Sequence, residues 1–139
     1  MKINATDING LLVIQPSVFT DSRGYFFESY NKDVFIKHGV AAEFVQDNES
    51  LSQKDVLRGL HFQNPPYAQA KLVRVIRGAV LDVAVDIRKR SLTYGKHFSV
   101  ELSAENKTML FVPEGFAHGF LVLEDNTIFS YKCSRTYNK

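Results

Sequence analysis

Residues 59–78 read GLHFQNPPYAQAKLVRVIRG, and residues 113–118 read PEGFAH. In the first stretch His61 and Gln63 alternate along an extended segment, so they share one face of a strand. Lys71 follows, with six residues between it and Gly78. The second stretch ends in His118, within a P-x-G-x-x-H pattern. The two stretches therefore place polar side chains suited to proton chemistry inside strand-like, largely apolar segments.

Both stretches resemble the paired motifs of a cupin barrel, whose four ligands, three His and one Glu, usually hold a divalent metal. Two of those positions differ here, because Gln63 replaces the second His and Lys71 replaces the Glu. A lysine ammonium carries three donors and no lone pair, and an amide is a weak ligand for a transition metal. We therefore expect a barrel without metal or other cofactor, whose pocket holds His61, His118 and a cation.

Composition restricts the class of protein. A chain of 139 residues with 45% hydrophobic residues fits one domain, residues 1–139. A formal charge of +2 gives no strong indication of a nucleic-acid or membrane partner. The single cysteine, Cys133, cannot form an internal disulfide, and MKINATDING lacks the apolar core of a signal peptide. These features predict a cytoplasmic protein that binds neither nucleic acid nor membrane.

Most of the chain reads as short strands punctuated by turns, a pattern typical of a β-sandwich or a closed barrel. After an apolar stretch at 10–19 and a turn at 21–24, a strand is predicted at 25–30. Asn31 can cap a short helix that runs through His38 and stops at Gly39. Further strands are predicted at roughly 43–47, 56–62, 71–77, 79–87, 96–102, 108–112, 117–123 and 127–133.

Strand parity and local composition add several expectations. Asp82, Ala84 and Asp86 should share one face of their strand. His38 and His97 lie in no motif and are expected at the surface. The basic run at 88–90 is expected to be a solvated turn.

In order and spacing, a longer set of motifs resembles the dTDP-4-dehydrorhamnose 3,5-epimerase family over residues 10–137. The shared strings are DSRGYFFESYN, FVQDNES, VLRGLHFQNPPYAQAKLVRVIRGAVLDVAVDIRKRS, LSAEN, PEGFAHGFLVLEDN and YKCSRTYN. The resemblance implies an all-β fold, a metal-free cupin jelly-roll barrel (double-stranded β-helix) with one or two short helices. It also implies a homodimer in which N-terminal β-strands are exchanged at the interface.

The activity implied by the resemblance is epimerisation of a nucleotide-linked 4-keto-6-deoxy sugar in dTDP-L-rhamnose biosynthesis. The substrate would be dTDP-4-dehydro-6-deoxy-D-glucose and the product dTDP-4-dehydro-L-rhamnose, inverted at C3 and C5. Because both protons lie alpha to the C4 ketone, the site needs a base, an acid and a group that stabilises the enolate oxygen. Histidine titrates at about pH 6.5, close to working pH.

By resemblance His61 is the base and Tyr131 the proton donor, and Lys71 suits the enolate oxygen. The positions that match the family's substrate-binding residues are Arg23, Glu28, Gln46, Asp47, Asn48, Arg58, Lys71 and His118. Arginine suits a diphosphate because its planar fork bonds two oxygens. Arg23 and Glu28 are expected to reach into the neighbouring subunit's site.

Members of the family continue beyond the region that matches YKCSRTYN, and that C-terminal segment supplies the acidic residue that orients the catalytic His. The sequence ends at Lys139, so weak turnover is expected of these 139 residues, with Asp82 as the candidate substitute for that carboxylate.

Three alternatives to the double epimerase stay open. One is a mono-epimerase that acts only at C3 or C5, and another is a non-catalytic or weakly active cupin that binds a dTDP-sugar. The third, a metal-dependent cupin oxygenase or isomerase, is disfavoured by Gln63 and Lys71.

Overall fold

A computed structural model describes residues 1–139. It contains twelve β-strands and one short helix, as predicted for an all-β chain. The elements are β1 Lys2–Ala5, β2 Leu12–Gln15, β3 Val18–Asp21, β4 Gly24–Phe27, α1 Lys32–Lys37, β5 Gln46–Ser52, β6 Leu57–His61, β7 Lys71–Arg77, β8 Ala79–Asp86, β9 His97–Ser103, β10 Met109–Val112, β11 Phe116–Val122 and β12 Thr127–Cys133. The helix is six residues long, and the structure has no helix with the length and apolar character required to cross a bilayer.

Two antiparallel sheets form the barrel. The larger has six strands in the order β1-β2-β10-β7-β12-β5, and the smaller has four in the order β6-β11-β8-β9. Strands distant in sequence are neighbours throughout; for example, β12 lies between β7 and β5. This arrangement is the jelly roll that the sequence predicted.

The core lies between the sheets and follows strand parity. Val73 and Val75 of β7, Ala84 of β8 and Phe129 of β12 belong to one buried cluster, against which Tyr131 packs. Leu72, on the other face of β7, joins a second cluster with Phe35 of α1 and Phe111 of β10. Because the inward positions of β7, β8 and β12 alternate in this way, Lys71, Asp82 and Tyr131 also face inward.

The helix begins and ends as predicted. The side chain of Asn31 accepts a hydrogen bond from the Val34 amide at 3.2 Å, and Gly39, with φ of +96°, follows the C-terminal residue His38. A left-handed backbone at this position is far less costly for glycine than for other residues.

Two local expectations were wrong, and one strand was missed. A strand predicted at 43–47 lies instead at Gln46–Ser52, and β1 was not predicted at all. Strand β6 ends at His61, so Gln63 lies in the loop beyond it and not on the same strand face. The basic run at 88–90 does include a turn with Lys89 and Arg90 exposed, as predicted, but Arg88 is half-buried: it donates from Nε to Asp86 Oδ1 at 3.0 Å and from its guanidinium to the Asn9 carbonyl at 3.0 Å.

The hairpin formed by β3 and β4 is a separate two-stranded sheet, and Phe27 at its end packs against the second core cluster. Three of its aromatic side chains are largely exposed: Phe19 at 67%, Tyr25 at 61% and Phe26 at 70%. An exposed apolar patch of this kind is characteristic of an interaction surface.

Candidate active site

A cavity of about 480 Å³ opens at one end of the barrel, between the two sheets. Its volume falls within the range of small-molecule sites, about 300–1,000 Å³. Six of the predicted site residues line it, and they come from five different strands: Gln46, Asn48, His61, Lys71, His118 and Tyr131. A larger groove, of about 730 Å³, lies beside α1 and is lined by none of the predicted site residues.

His61 and His118 reach this cavity from adjacent strands. They are paired residues in the antiparallel register of β6 and β11. Gly59 makes the close approach of these strands possible, because a Cβ at that position would lie 2.6 Å from the His118 carbonyl oxygen and 2.8 Å from Gly119 Cα. The His61 side chain is exposed and makes no hydrogen bond, whereas His118 is 6% exposed.

The two imidazoles differ in their partners. His118 Nε2 lies 2.8 Å from Asp82 Oδ1 and 3.0 Å from Asp82 Oδ2, and both side chains are buried. The expectation that Asp82 substitutes for the carboxylate of His61 is therefore wrong, because both of its oxygens are directed at His118. Parity on β8 correctly predicted that Asp82 faces inward, but parity alone does not select between His118 on the adjacent strand β11 and His61 on β6, the next strand of the same sheet.

Lys71 begins β7 and lies opposite Cys133 in the register with β12. Its Nζ is 5.5 Å from the centre of the Tyr131 ring, and no carboxylate forms an ion pair with it. Burial lowers the pKa of Lys71 below the usual lysine value, while the nearby Cys133 and Asp82 oppose that fall. A desolvated ammonium without a carboxylate partner binds an incoming anion strongly, because a nearby negative charge stabilises its charged form.

Gln46 and Asn48 occupy the inward face of β5, next to β12. Gln46 Nε2 donates to Asn48 Oδ1 at 3.0 Å, and Gln46 Oε1 accepts from the Tyr137 amide at 3.1 Å. Gln63 accepts from the Asn138 amide at 3.2 Å and donates to the Tyr67 carbonyl. The side chains of Gln46 and Gln63 thus hold the backbone of Tyr137 and Asn138 at the cavity mouth. Sequence reasoning missed these contacts, because a hydrogen bond to a backbone group does not depend on the type of residue that provides it.

Four predicted substrate-binding residues lie outside this cavity. Asp47 is on the other face of β5, where it forms an ion pair with Lys132 at 2.9 Å. Arg58 donates from Nε to Ser52 Oγ at 2.9 Å. Arg23 lies at the tip of the exposed β3–β4 hairpin, paired with Asp21, and Glu28 is exposed just beyond β4.

The donor set does not fit a divalent metal. The structure contains no group of three or more His, Cys, Asp or Glu side chains that could hold such an ion. Gln63, at the position of the second cupin histidine, is bound to backbone groups, and Lys71 in its charged form has no lone pair. The arrangement instead offers imidazole, phenol and ammonium groups around one cavity, which suits proton transfer to and from an anionic substrate.

Comparison with known proteins agrees with this chemistry. The sequence profile of the dTDP-4-dehydrorhamnose 3,5-epimerase family matches residues 5–139. A dTDP-4-dehydrorhamnose 3,5-epimerase of Shigella flexneri is 56% identical over 140 residues, with 100% of this chain and 77% of the relative covered.

Solved structures give the same result. A crystal structure of dTDP-4-dehydrorhamnose 3,5-epimerase from Elizabethkingia anophelis superposes with a TM-score of 0.95 at 52% identity, covering 100% of this chain and 76% of that one. The 3,5-epimerase from Legionella pneumophila, solved with dTDP-4-keto-L-rhamnose, superposes with a TM-score of 0.95 at 48% identity and covers 99% and 73% of the two chains. This chain belongs to the dTDP-4-dehydrorhamnose 3,5-epimerase family.

Proposed function

We propose that this chain converts dTDP-4-dehydro-6-deoxy-D-glucose to dTDP-4-dehydro-L-rhamnose by inverting C3 and C5, a step of dTDP-L-rhamnose biosynthesis. The observation that carries the proposal is the convergence of His61, Lys71 and Tyr131 on one cavity of about 480 Å³. Family membership supports the same reaction.

In the proposed reaction His61 removes the proton from C3 or C5, and the bonding electrons move into the C4 carbonyl to give an enolate. The exposed ring of His61, with no hydrogen-bond partner of its own, is free to accept that proton. Lys71 stabilises the enolate oxygen, since its ammonium is desolvated and lacks a carboxylate partner. Tyr131 returns a proton to the ring carbon from its phenol.

The remaining site residues are proposed to bind the rest of the substrate. Gln46, Asn48 and His118 line the cavity and offer hydrogen bonds to the sugar and the nucleotide. Arg58 stands on the same strand as His61, where its guanidinium suits the diphosphate. Asp47 is held by Lys132 on the outer face of β5, so we assign it to the rim of the site.

We further propose that the protein is a homodimer. Arg23 and Glu28 lie outside their own chain's cavity, on or beside a hairpin whose aromatic side chains are exposed. A second copy of the chain that covers the hairpin would bury this apolar surface, and Arg23 and Glu28 would then lie at the cavity of that second copy. The single buried thiol, Cys133, is compatible with the reducing cytoplasm, to which we assign the protein.

Solvent deuterium incorporation tests the function. In deuterium oxide the double epimerase places deuterium at both C3 and C5 of the sugar, as read by NMR of the recovered nucleotide sugar. A mono-epimerase labels a single carbon. A dTDP-sugar binder labels neither while still binding dTDP, and that outcome would reject the proposal.

A further inference from the structure

Asp82 is a buried carboxylate with only one hydrogen-bonding partner. It lies on the inward face of β8, it is 0% exposed, and both of its oxygens engage His118 Nε2. A carboxylate buried with a single imidazole needs positive charge nearby, because desolvation of an ion costs several kcal/mol. Burial raises the pKa of Asp82, and the nearby His118 and Lys71 both oppose that rise.

The geometry determines which ring nitrogen of His118 is available to a ligand. An ionised carboxylate only accepts hydrogen bonds, so Nε2 carries the proton that points to Asp82. The other nitrogen, Nδ1, has no partner within the protein, and His118 lines the cavity. A ligand in the cavity is therefore left to meet Nδ1, and a carboxylate behind the ring favours a proton there as well.

We propose that Asp82 is the buried counter-ion of a two-donor oxyanion site, in which His118 Nδ1–H and Lys71 Nζ both donate to the C4 oxygen of the sugar. The proposal rests on the function proposed above and extends it. As the proton passes from C3 or C5 to His61, negative charge moves to the C4 oxygen, where both donors stabilise it. Asp82 acts through His118 and is a positioning residue, whereas His118 contacts the substrate.

A purely structural role for the pair is the competing explanation, and the same strand provides a comparison. Asp86 is also 0% exposed and faces the same way as Asp82. It accepts hydrogen bonds from Arg88, Ser91 and Thr93, all outside the cavity. Asp86 thus represents a carboxylate that organises a loop, and it supplies a matched control.

The kinetic test compares Asp82→Asn with Asp86→Asn, each measured for deuterium incorporation and for dTDP affinity. Loss of one oxyanion donor costs about 10²–10³-fold in kcat, so Asp82→Asn is expected to slow exchange by about that factor. Exchange at C3 and at C5 should fall together, since both enolates place charge on the same oxygen. The Kd for dTDP should change little, because Asp82 is 0% exposed and is not among the residues that line the cavity.

Asp86→Asn is expected to lower thermal stability while the folded fraction keeps nearly its full exchange rate. Equal rate losses in the two variants would reduce Asp82 to a structural residue and overturn the proposal. A loss at only one of the two carbons would also overturn it.

A second measurement needs no variant of Asp82. Nitrogen-15 NMR of histidine-labelled protein with dTDP bound reports the protonation of each ring, and His118→Gln identifies the signal among the four histidines. The two-donor site requires a proton on each nitrogen of His118 in the dTDP complex, and the loss of one of them in Asp82→Asn. A His118 ring with a bare Nδ1 in the unaltered protein would refute the two-donor site.

A failure of the proposed function and a failure of this inference give different results. If the proposed function is wrong, the unaltered protein incorporates no deuterium, whereas the NMR signal of His118 still decides the protonation of its ring. If only this inference is wrong, the unaltered protein is active and Asp82→Asn is no slower than the control.

Discussion

His61 and His118 are register partners in the antiparallel pair of β6 and β11, yet only His118 is bound to a carboxylate. The His61 ring is exposed and free of hydrogen bonds, and the His118 ring is buried between Asp82 and the Phe129 ring, whose centre is 6.2 Å away. Two groups of the same chemistry in different environments can serve different roles.

Replacement of the proposed base should separate chemistry from binding. His61→Ala should reduce deuterium incorporation into the sugar by at least about 10²–10⁴-fold, the contribution typical of a general base. The affinity for dTDP, measured by calorimetry, should stay nearly unchanged. The control is His97→Ala, at an exposed position of β9 away from the cavity. Exchange at a near-normal rate in His61→Ala would show that another group removes the proton.

Removal of metal should leave the reaction intact. Because Gln63 is bound to backbone groups and Lys71 replaces a carboxylate ligand, the cavity offers only two imidazoles to a cation. Activity after exhaustive chelation should equal that of untreated protein, and elemental analysis should find no stoichiometric transition metal. A bound metal held by His61 and His118 would instead indicate an oxygenase or a metal-dependent isomerase.

Mixed dimers should test the contribution of the hairpin. Arg23→Ala should damage the partner's site, whereas His61→Ala damages its own. In a dimer that carries one copy of each, the two lesions fall in the same site and the other site stays intact. Mixing the two inactive proteins under conditions of subunit exchange should therefore restore part of the activity. If light scattering finds a monomer that still binds dTDP tightly, the hairpin does not contribute to a partner's site.

Gly59→Ala should displace β6 and with it His61. The residue has φ of +98°, and an added Cβ would lie 2.6 Å from the His118 carbonyl oxygen. Strain of this kind costs about 1–3 kcal/mol, so we expect a lower Tm together with slower deuterium incorporation. Gly39→Ala is the matched control, because Gly39 also has a positive φ, +96°, but an added Cβ meets nothing within 4 Å. Equal effects of both variants on exchange would show that backbone strain alone is responsible.

Asp86 should make stability depend on pH. Hydrogen bonds from Arg88, Ser91 and Thr93 outweigh its desolvation and hold its pKa well below the usual aspartate value. The unfolded chain therefore binds a proton more readily, so the stabilisation is present above about pH 4 and is lost as pH falls further. Asp86→Asn should destabilise the protein by about 1–3 kcal/mol at pH 7 and by less near pH 3, as measured by urea unfolding. A difference that is constant with pH would contradict this assignment.

Strand alternation and turn residues predicted most of the fold. The strand at Thr127–Cys133 and the helix capped by Asn31 were correctly predicted, because apolar periodicity and capping chemistry act locally. The polar run QDNES gave no such signal, so β5 was placed too early in the chain. Its pairing with β12 makes it a strand, and pairing between distant segments is not visible in local composition.

The sequence predicted which residues line the site better than it predicted which of those residues bind one another. Motif resemblance identified His61, Lys71, His118 and Tyr131, and all four line the cavity. It did not predict that Asp82 binds His118, which depends on the register of β8 against β11. Residues proposed to act across a dimer, such as Arg23, have roles that a single chain does not display.

The position of β12 between β7 and β5 has a consequence for how the protein is made. During synthesis β5 and β7 leave the ribosome well before residues 127–133, yet neither gains its shared neighbour until those residues are available. The wall that carries Lys71 and Tyr131 can close only after nearly all of the described chain has been translated. Folding should therefore be slow, with the unpaired edges of β5 and β7 exposed to chaperones or to other nascent chains in the interval.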